Sequence, residues 1–504
     1  MIQIGNVFAL LALLGWPLAG VALFRRLPPE RALIWSILGA YMILPQLSAI
    51  NLPLVPSLNK ETIPNLVAFG CCLAYWGRMP HLLPESRIAR LLLVLFIVSP
   101  AITVLTNLEP IRFGVDRFGT LQLVDPNALT LGGLPGLRAY DSASALVGQV
   151  FLMLPFFLAR ELLRTEAAIR EILLALVIAG AIYALPMLWE VRFSPQLHTK
   201  LYGFFQHDFL QAVRNGGFRP FVFMPHGLWV AFFAFMVTMA AAARARIAEP
   251  GSAGKKLLLV LCGLGLVVIC KSLGALIFTL VFVPVVLILR PRAHLALAAL
   301  LAAVVIAYPL LRGTGLVPTD AIVERVAELS EERAQSLEYR FTNEDLIIGH
   351  VAEKPLFGWG GWGRFMVFDP ATGETDTIVD GMWVITIGQS GWLGYIGMFG
   401  LLALPLLGLW WESRRSGATP VPLAVSTLAL ILAVNMLDLL PNATLIPFTW
   451  LMAGALLGYA ESLRRATTAA QAARLRQHHG GVVLGLDPTP GAEGAPPRPP
   501  RTLL

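Results

Sequence analysis

The sequence predicts an all-α polytopic membrane protein with about 12–14 transmembrane helices and one large, partly helical loop. Three observations carry this expectation. Hydrophobic residues make up 56% of the 504 and charged residues only 14%, too apolar for an ordinary soluble domain. Apolar runs of about 20 residues recur from end to end. Between two of them lies one long polar interval, Arg312 to Asp380.

In order, the expected spans are 5–24, 32–50, 62–76, 91–107, 142–159, 171–189, 221–243, 257–270, 272–290, 294–311, 383–411, 421–440 and 443–460. The run 257–290 is interrupted only by Lys271. As one helix it would be about 51 Å long, against a hydrocarbon core of about 30 Å. It therefore reads as a hairpin with Lys271 at its tip. The first span has no basic region ahead of it and no small-residue cleavage site, which argues against a removed signal peptide. Cys71, Cys72, Cys262 and Cys270 lie inside apolar runs without metal or redox spacing and are expected to face lipid or core.

Residues 1–199 are thus an N-terminal transmembrane bundle, 200–311 a second set of spans, 312–380 the large loop and 381–460 the C-terminal spans. The tail 461–504 ends in Pro-Gly-rich sequence and is expected to be disordered, with His478-His479 an accident of its polarity rather than a metal site. Segment 108–141, rich in Gly, Pro and Asp without periodicity, is expected to be an ordered loop over the bundle mouth.

Charge orients the chain. The short connections hold Arg25, Arg26 and Arg31; Arg78, Arg87 and Arg90; Arg160, Arg164 and Arg170; Arg244, Arg246, Lys255 and Lys256; Arg290 and Arg292; Arg414 and Arg415. With the tail they account for 23 of the 38 basic residues. Positive-inside bias then places the short loops and the C-terminus in the cytoplasm. Segments 108–141, 190–220 and 312–380 share the outer face. The net charge of +7 reflects this distribution rather than nucleic-acid binding.

Within the large loop, Ile322, Val326, Leu329, Leu337 and Phe341 recur at roughly helical spacing among charges, which predicts an amphipathic helix against the bundle or the membrane surface. Thr342 with Asp345 reads as a capping box opening a further short helix, which Pro355 stops. Arg340 would then stand just ahead of a helix N-terminus, a place that favours an anion. A charged cap that merely packs is the alternative reading of the segment.

The outer segments carry cations at membrane boundaries, where positive-inside bias works against them. Arg214 and Arg219 flank Asn215-Gly216-Gly217-Phe218 and precede Pro220 and His226; Lys271 tips the hairpin; Arg340 and Arg364 come from the large loop. A doubly anionic group such as a pyrophosphate at the water–lipid boundary would give them a purpose, since Arg matches phosphate oxygens bidentately. Snorkelling, or pairing with Glu190, Asp208, Glu344 or Glu353, is the structural alternative. Walker, dinucleotide-fingerprint, zinc-spaced and H-E-x-x-H motifs are missing, so no cofactor and no metal are expected. Chemistry outside the cell, away from ATP, needs a donor that is already activated.

Four stretches resemble the O-antigen ligase and polysaccharide polymerase superfamily. Arg340, a short helix, Pro355 and Gly358-Trp359-Gly360 are similar to its Arg–helix–Pro–Leu–x–Gly–x–Gly loop. Arg214-x-x-Gly217 running towards His226 resembles its outer motif before the next span. Lys271-Ser272-Leu273-Gly274 stands where the family has Ser-Arg-Gly, and Gln389-Ser390-Gly391-Trp392-Leu393-Gly394 resembles its stretch after the big loop. The likeness covers roughly 200–410; the earlier spans match only in being apolar.

The resemblance implies a bacterial inner-membrane glycosyltransferase with a periplasmic large loop. It would move a glycan, with inversion and without metal, from a polyprenyl-pyrophosphate-linked oligosaccharide to an acceptor hydroxyl. Arg214 or Arg219, Lys271 and Arg340 would hold the pyrophosphate, with Arg364 a further substrate contact. Where the ligases carry a His-Asn pair, this chain has Asp380-Gly381-Met382-Trp383. Asp380 either takes the acceptor's proton or caps the next helix. His226 and His350 are alternative bases, His350 fitting a surface position better. The missing ligase histidine favours polymerisation of repeat units into a surface polysaccharide over ligation to lipid A-core or another acceptor. Membrane lipids and other polysaccharide-assembly proteins are the expected further partners. A transporter for an anionic solute is the rival of another class, disfavoured because the cations cluster at one boundary rather than at mid-membrane. A non-catalytic assembly subunit is a third reading.

A reporter active only outside the cytoplasm is expected to work when inserted near Gly313 or Gly373 and to fail near Ala168 or at Leu504. Activity at Leu504 would mean a miscounted span.

Overall fold

A computed structural model describes residues 5–52, 55–79, 81–113, 133–214, 216–247, 251, 253–328, 330–369, 373–415 and 419–480. The described residues form a helical bundle in which every expected span meets a helix. These are α1 (Val7–Arg26), α2 (Pro29–Ile43), α3 (Thr62–Trp76), α4 (Arg87–Leu105), α5 (Ala139–Leu162), α6 (Glu166–Phe193), α8 (Gly227–Ile247), α9 (Ala253–Ile269), α10 (Leu273–Ile288), α11 (Pro291–Gly313), α14 (Met382–Ser413), α15 (Leu423–Asp438) and α16 (Pro447–Gly480). The short α7 (Leu197–Tyr202) follows α6, while α12 (Thr319–Ala327) and α13 (Glu331–Val351) lie in the large loop. Seven of the helices are long and apolar enough to cross a membrane on their own. Among the described residues, strands form three antiparallel ribbons of two residues a side: β1 (Ala49–Ile50) with β2 (Leu58–Asn59), β3 (Ile111–Arg112) with β4 (Gly133–Leu134), and β5 (Val213–Arg214) with β6 (Gly217–Phe218).

Sequence pattern decides depth. α15 is apolar all round and almost wholly buried, as is α8, so both are central. α1 and α6 leave Leu18 and Leu185 exposed and form part of the rim. α5 and α16 pack side by side and are pinned by a buried ion pair, Arg160 Nε to Glu461 Oε2 at 2.8 Å, with Arg160 also donating to His81 O.

The connections alternate between two ends. At one end Arg31 bonds Glu171, Arg160 bonds Glu461, and Arg246 donates to Val286 O. At the other, Gln46 N–H donates to His198, Lys60 to Phe223 O, Lys271 to Arg214 O, and Met382 N–H to Leu439 O. The large loop lies at this second, long-loop end. Lys271 does interrupt α9 and α10, in a left-handed conformation with φ of 51°.

Three expectations are corrected. Thr342 and Asp345 open no helix: α13 begins eleven residues before Thr342, at Glu331, where Glu331 and Glu332 sit in the first turn and complement its dipole. Thr342 is interior, its hydroxyl donating to Glu338 O, so Arg340 stands mid-helix and not at an N-terminus. The amphipathic stretch is two helices, α12 and α13, rather than one. The tail from 461 is helical as far as Gly480; its remainder, the side chains of His478 and His479, and residues 114–132 of the Gly-Pro-Asp segment lie outside what the structure describes.

The large loop is fastened to α14 where that helix breaks. Gly391 has φ of 65° and ψ of −169°, which parts the helical ladder. Gly388 O and Gln389 O, which a straight helix would pair with the N–H groups of Trp392 and Leu393, accept instead from Trp359 N–H (2.9 Å) and Gly360 N–H (3.0 Å). The freed Trp392 and Leu393 N–H groups donate to Pro355 O (2.8 Å) and Leu356 O (3.2 Å). A Cβ at Gly391 would run into the backbone of Leu356, and one at Gly358 would stand 2.6 Å from Gly388 O.

Gly391→Ala is therefore expected to destabilise the protein by more than about 2 kcal/mol, from left-handed strain plus the clash. Thermal unfolding in detergent, beside Gly408→Ala, whose Cβ would meet nothing within 4 Å, checks this.

Candidate functional site

The bonds just described hold residues 355–360 against α14, and α13 packs on the same helix. Between α13, the segment 378–381 and the α15–α16 turn opens a cavity of about 130 Å³. Arg340 and Asp380, far apart in sequence, meet in it: Arg340 Nη2 lies 3.1 Å from Asp380 Oδ2, and both side chains stay partly exposed. Apolar groups make the rest of the wall, among them Tyr308, Leu337, Phe341, Ile378 and Leu440. Gly381, not Asp380, occupies the N-cap of α14, so the capping role expected of Asp380 does not arise.

Glu344 lines this cavity and is less exposed than Arg340 or Asp380. It follows Arg340 by one turn of α13 and so shares its face. Arg312, from α11, is its nearest charge, 3.7 Å away. Burial pushes the Glu344 carboxyl up to about 7, although Arg312 pulls it down. The residue entered the sequence reading only as a possible ion-pair partner. Its i, i+4 relation to Arg340 would have marked it, had the helix been started at Glu331.

A second group gathers at the same end, where the β5–β6 ribbon meets the α9–α10 tip. Lys271 Nζ donates to Arg214 O at 2.8 Å, and Arg219 N–H donates to Ala212 O. The Arg219 guanidinium is fully buried, with Nε and Nη1 lacking a hydrogen-bond partner. Burial, with the Arg214 charge beside it, pulls Arg219 down to about 10. Among the described residues, no carboxylate lies within ion-pair distance of Arg214, Arg219 or Lys271. Glu190 and Asp208, the expected partners, are spent on backbone. Glu190 accepts from the N–H groups of Leu197, Phe221 and Val222, and Asp208 from that of Leu210. Three neighbouring cations without a carboxylate could hold an anion.

His226, the residue before α8, borders this group. Leu228 N–H donates to its Nδ1, while its Nε2 lies 2.6 Å from Arg219 Nη2 and 3.0 Å from Gln211 Oε1. Burial, then the Arg219 charge, push it down to about 3. Both nitrogens have polar neighbours within hydrogen-bond distance, which disfavours the base role expected of His226. His350 is stacked on Trp359, with ring centroids 4.1 Å apart.

Arg364 belongs to neither group. Its buried guanidinium donates to Trp359 O, Pro135 O (2.7 Å) and Glu109 O (2.9 Å), bracing the loop. This bracing role, in which three of its five N–H groups donate to carbonyls, disfavours the substrate contact expected of it.

A His lowered from 6.5 to about 3 on folding leaves the native state binding fewer protons than the unfolded chain between those values. Its contribution is full above about 6.5 and is lost as pH falls towards 3. Replacing His226 by Gln is expected to flatten the acid-side fall in melting temperature between pH 6.5 and 4, measured in detergent.

No protein-family model matches this chain, and no curated protein matches it.

Proposed function

We propose that this protein is a bacterial inner-membrane glycosyltransferase that moves a glycan from a polyprenyl-pyrophosphate donor to an acceptor hydroxyl. The observation that carries this reading is the carboxylate-free group of Arg214, Arg219 and Lys271 at the long-loop end of an apolar bundle. A pyrophosphate whose lipid tail lies in the membrane would present its charges at that height, and each charge-assisted bond is worth roughly 1.5–3 kcal/mol. An uncompensated buried guanidinium is costly, so an anionic ligand is what Arg219 would be kept for.

In this reading the long-loop end faces the periplasm and the basic short loops the cytoplasm. Arg340 is a further phosphate ligand; its pair with Asp380 is exposed enough to exchange partners at little cost. As the sugar leaves, the developing charge on the pyrophosphate is met by these cations. Polymerisation of repeat units is favoured over ligation, because Asp380 stands where the ligases of the resembling family have histidine.

Arg340→Ala is expected to abolish polymer formation from a purified polyprenyl-pyrophosphate oligosaccharide, with membrane abundance near wild type. Arg340→Lys keeps the charge without the planar fork and is expected to lose at least tenfold. Arg219→Met should weaken donor binding about tenfold or more in a titration. Full transfer in both Arg340→Ala and Arg219→Met would overturn the reading.

A further inference from the structure

Transfer to a hydroxyl requires a group that removes its proton. His226 has polar neighbours at both nitrogens, and Asp380 is the half-exposed anion on which Arg340 rests. Within the same cavity, Glu344 is differently placed. Its Oε2 is buried, with no hydrogen-bond partner within 3.5 Å and Arg312 Nε 3.7 Å away. Arg312 is ion-paired with Glu344 through Nε at 3.7 Å but makes its hydrogen bonds elsewhere: Nη2 donates to Asp345 Oδ2 at 2.9 Å and to Phe341 O at 3.2 Å. The Trp383 indole N–H, buried and without a well-formed bond, faces the same carboxyl from α14.

We propose that Glu344 is the general base of the transfer, taking the proton of the acceptor hydroxyl within the cavity that Arg340 and Asp380 border. This rests on the function proposed above and adds the catalytic residue to it. The acceptor oxygen forms a bond to the anomeric carbon as its proton passes to Glu344 Oε2. The bond from that carbon to the pyrophosphate oxygen breaks, and its electron pair leaves with the polyprenyl pyrophosphate. Glu344 then returns its proton to water through the cavity mouth, beside the half-exposed Asp380.

The surroundings suit a base that works near neutrality. Tyr308 and Arg312 face Glu344 from α11, Arg340 and Asp345 from its own helix, and Trp383 from α14, with Asp380 across the cavity. Burial raises the carboxyl towards 7, and a base poised near the working pH combines ionisation with proton affinity. The role needs the ionised form, so the rate rises with pH through that value and is level above it.

The test uses the full-length protein in detergent with a polyprenyl-pyrophosphate oligosaccharide, following transfer rate from pH 5.5 to 9 beside a donor-binding titration. Wild type is expected to lose about tenfold in rate per pH unit well below 7. Glu344→Gln is expected to lose at least about 100-fold, to lose that acid limb, and to bind donor within about twofold of wild type. Glu344→Asp should retain part of the rate with a displaced midpoint, and carries the test if the Gln variant folds poorly. A Glu344→Gln protein with wild-type rate, or a Glu344→Asp protein with an unmoved acid limb, overturns the assignment while leaving the transferase reading intact. A wild-type protein that transfers nothing overturns both.

Discussion

Breaking a helix inside an apolar bundle frees backbone groups that lipid cannot satisfy, and everything at the long-loop end depends on how that is met at Gly391. The loop residues Pro355, Leu356, Trp359 and Gly360 supply the missing donors and acceptors, so the break and the loop complete one another. Side chains extend the fastening. Thr103 donates to Phe357 O, and Asn107 Nδ2 to Gly358 O at 2.9 Å. With 355–360 held in this way, α13 has a defined end from which to lie across α14, and the face bearing Arg340 and Glu344 is turned to the cavity.

The cations of this end divide by what their surroundings leave undone. Arg364 and Lys354 are satisfied: Arg364 by three carbonyls, Lys354 by Asn107 Oδ1, Thr106 O and Glu109. Arg312 is held by Asp345. Arg219 is buried without adequate partners, and Arg340 has a single exposed one. Arg312 also keeps a buried Nε without a hydrogen bond, but two carboxylates stand beside it; in the proposed reading Arg219 and Arg340 are where a ligand's oxygens would fit.

Much of the bundle was legible because length and apolarity are local properties. Lys271 could be placed at a tip because an unbroken 257–290 would be far too long for a membrane. The loop was read less well, since its helix boundaries rest on weak signals. Thr342 and Asp345 carry the residue types of a capping box, but Glu331, Glu332, Ala334 and Gln335 are better helix formers and propagate through it. That shift hid the pairing of Arg340 with Glu344 on one face. Arg364 and Arg340 are alike in sequence, two arginines of one loop. Only burial tells them apart, and burial depends on carbonyls at Glu109 and Pro135 that sequence does not bring near. The likeness of 355–360 and 389–394 to two separate motifs was visible; that they are halves of one hydrogen-bonded joint was not.

The Arg364 fork has a consequence for how such a chain can diversify. Its three carbonyl partners come from the segment after α4, the segment before α5 and the large loop itself. Lys354 and Asn107 tie the first and last of these a second time. Recombination that exchanged the large loop alone would strand a buried guanidinium and its carbonyls together. Loop and connection, 229 residues apart at Pro135 and Arg364, are thus fastened as one unit.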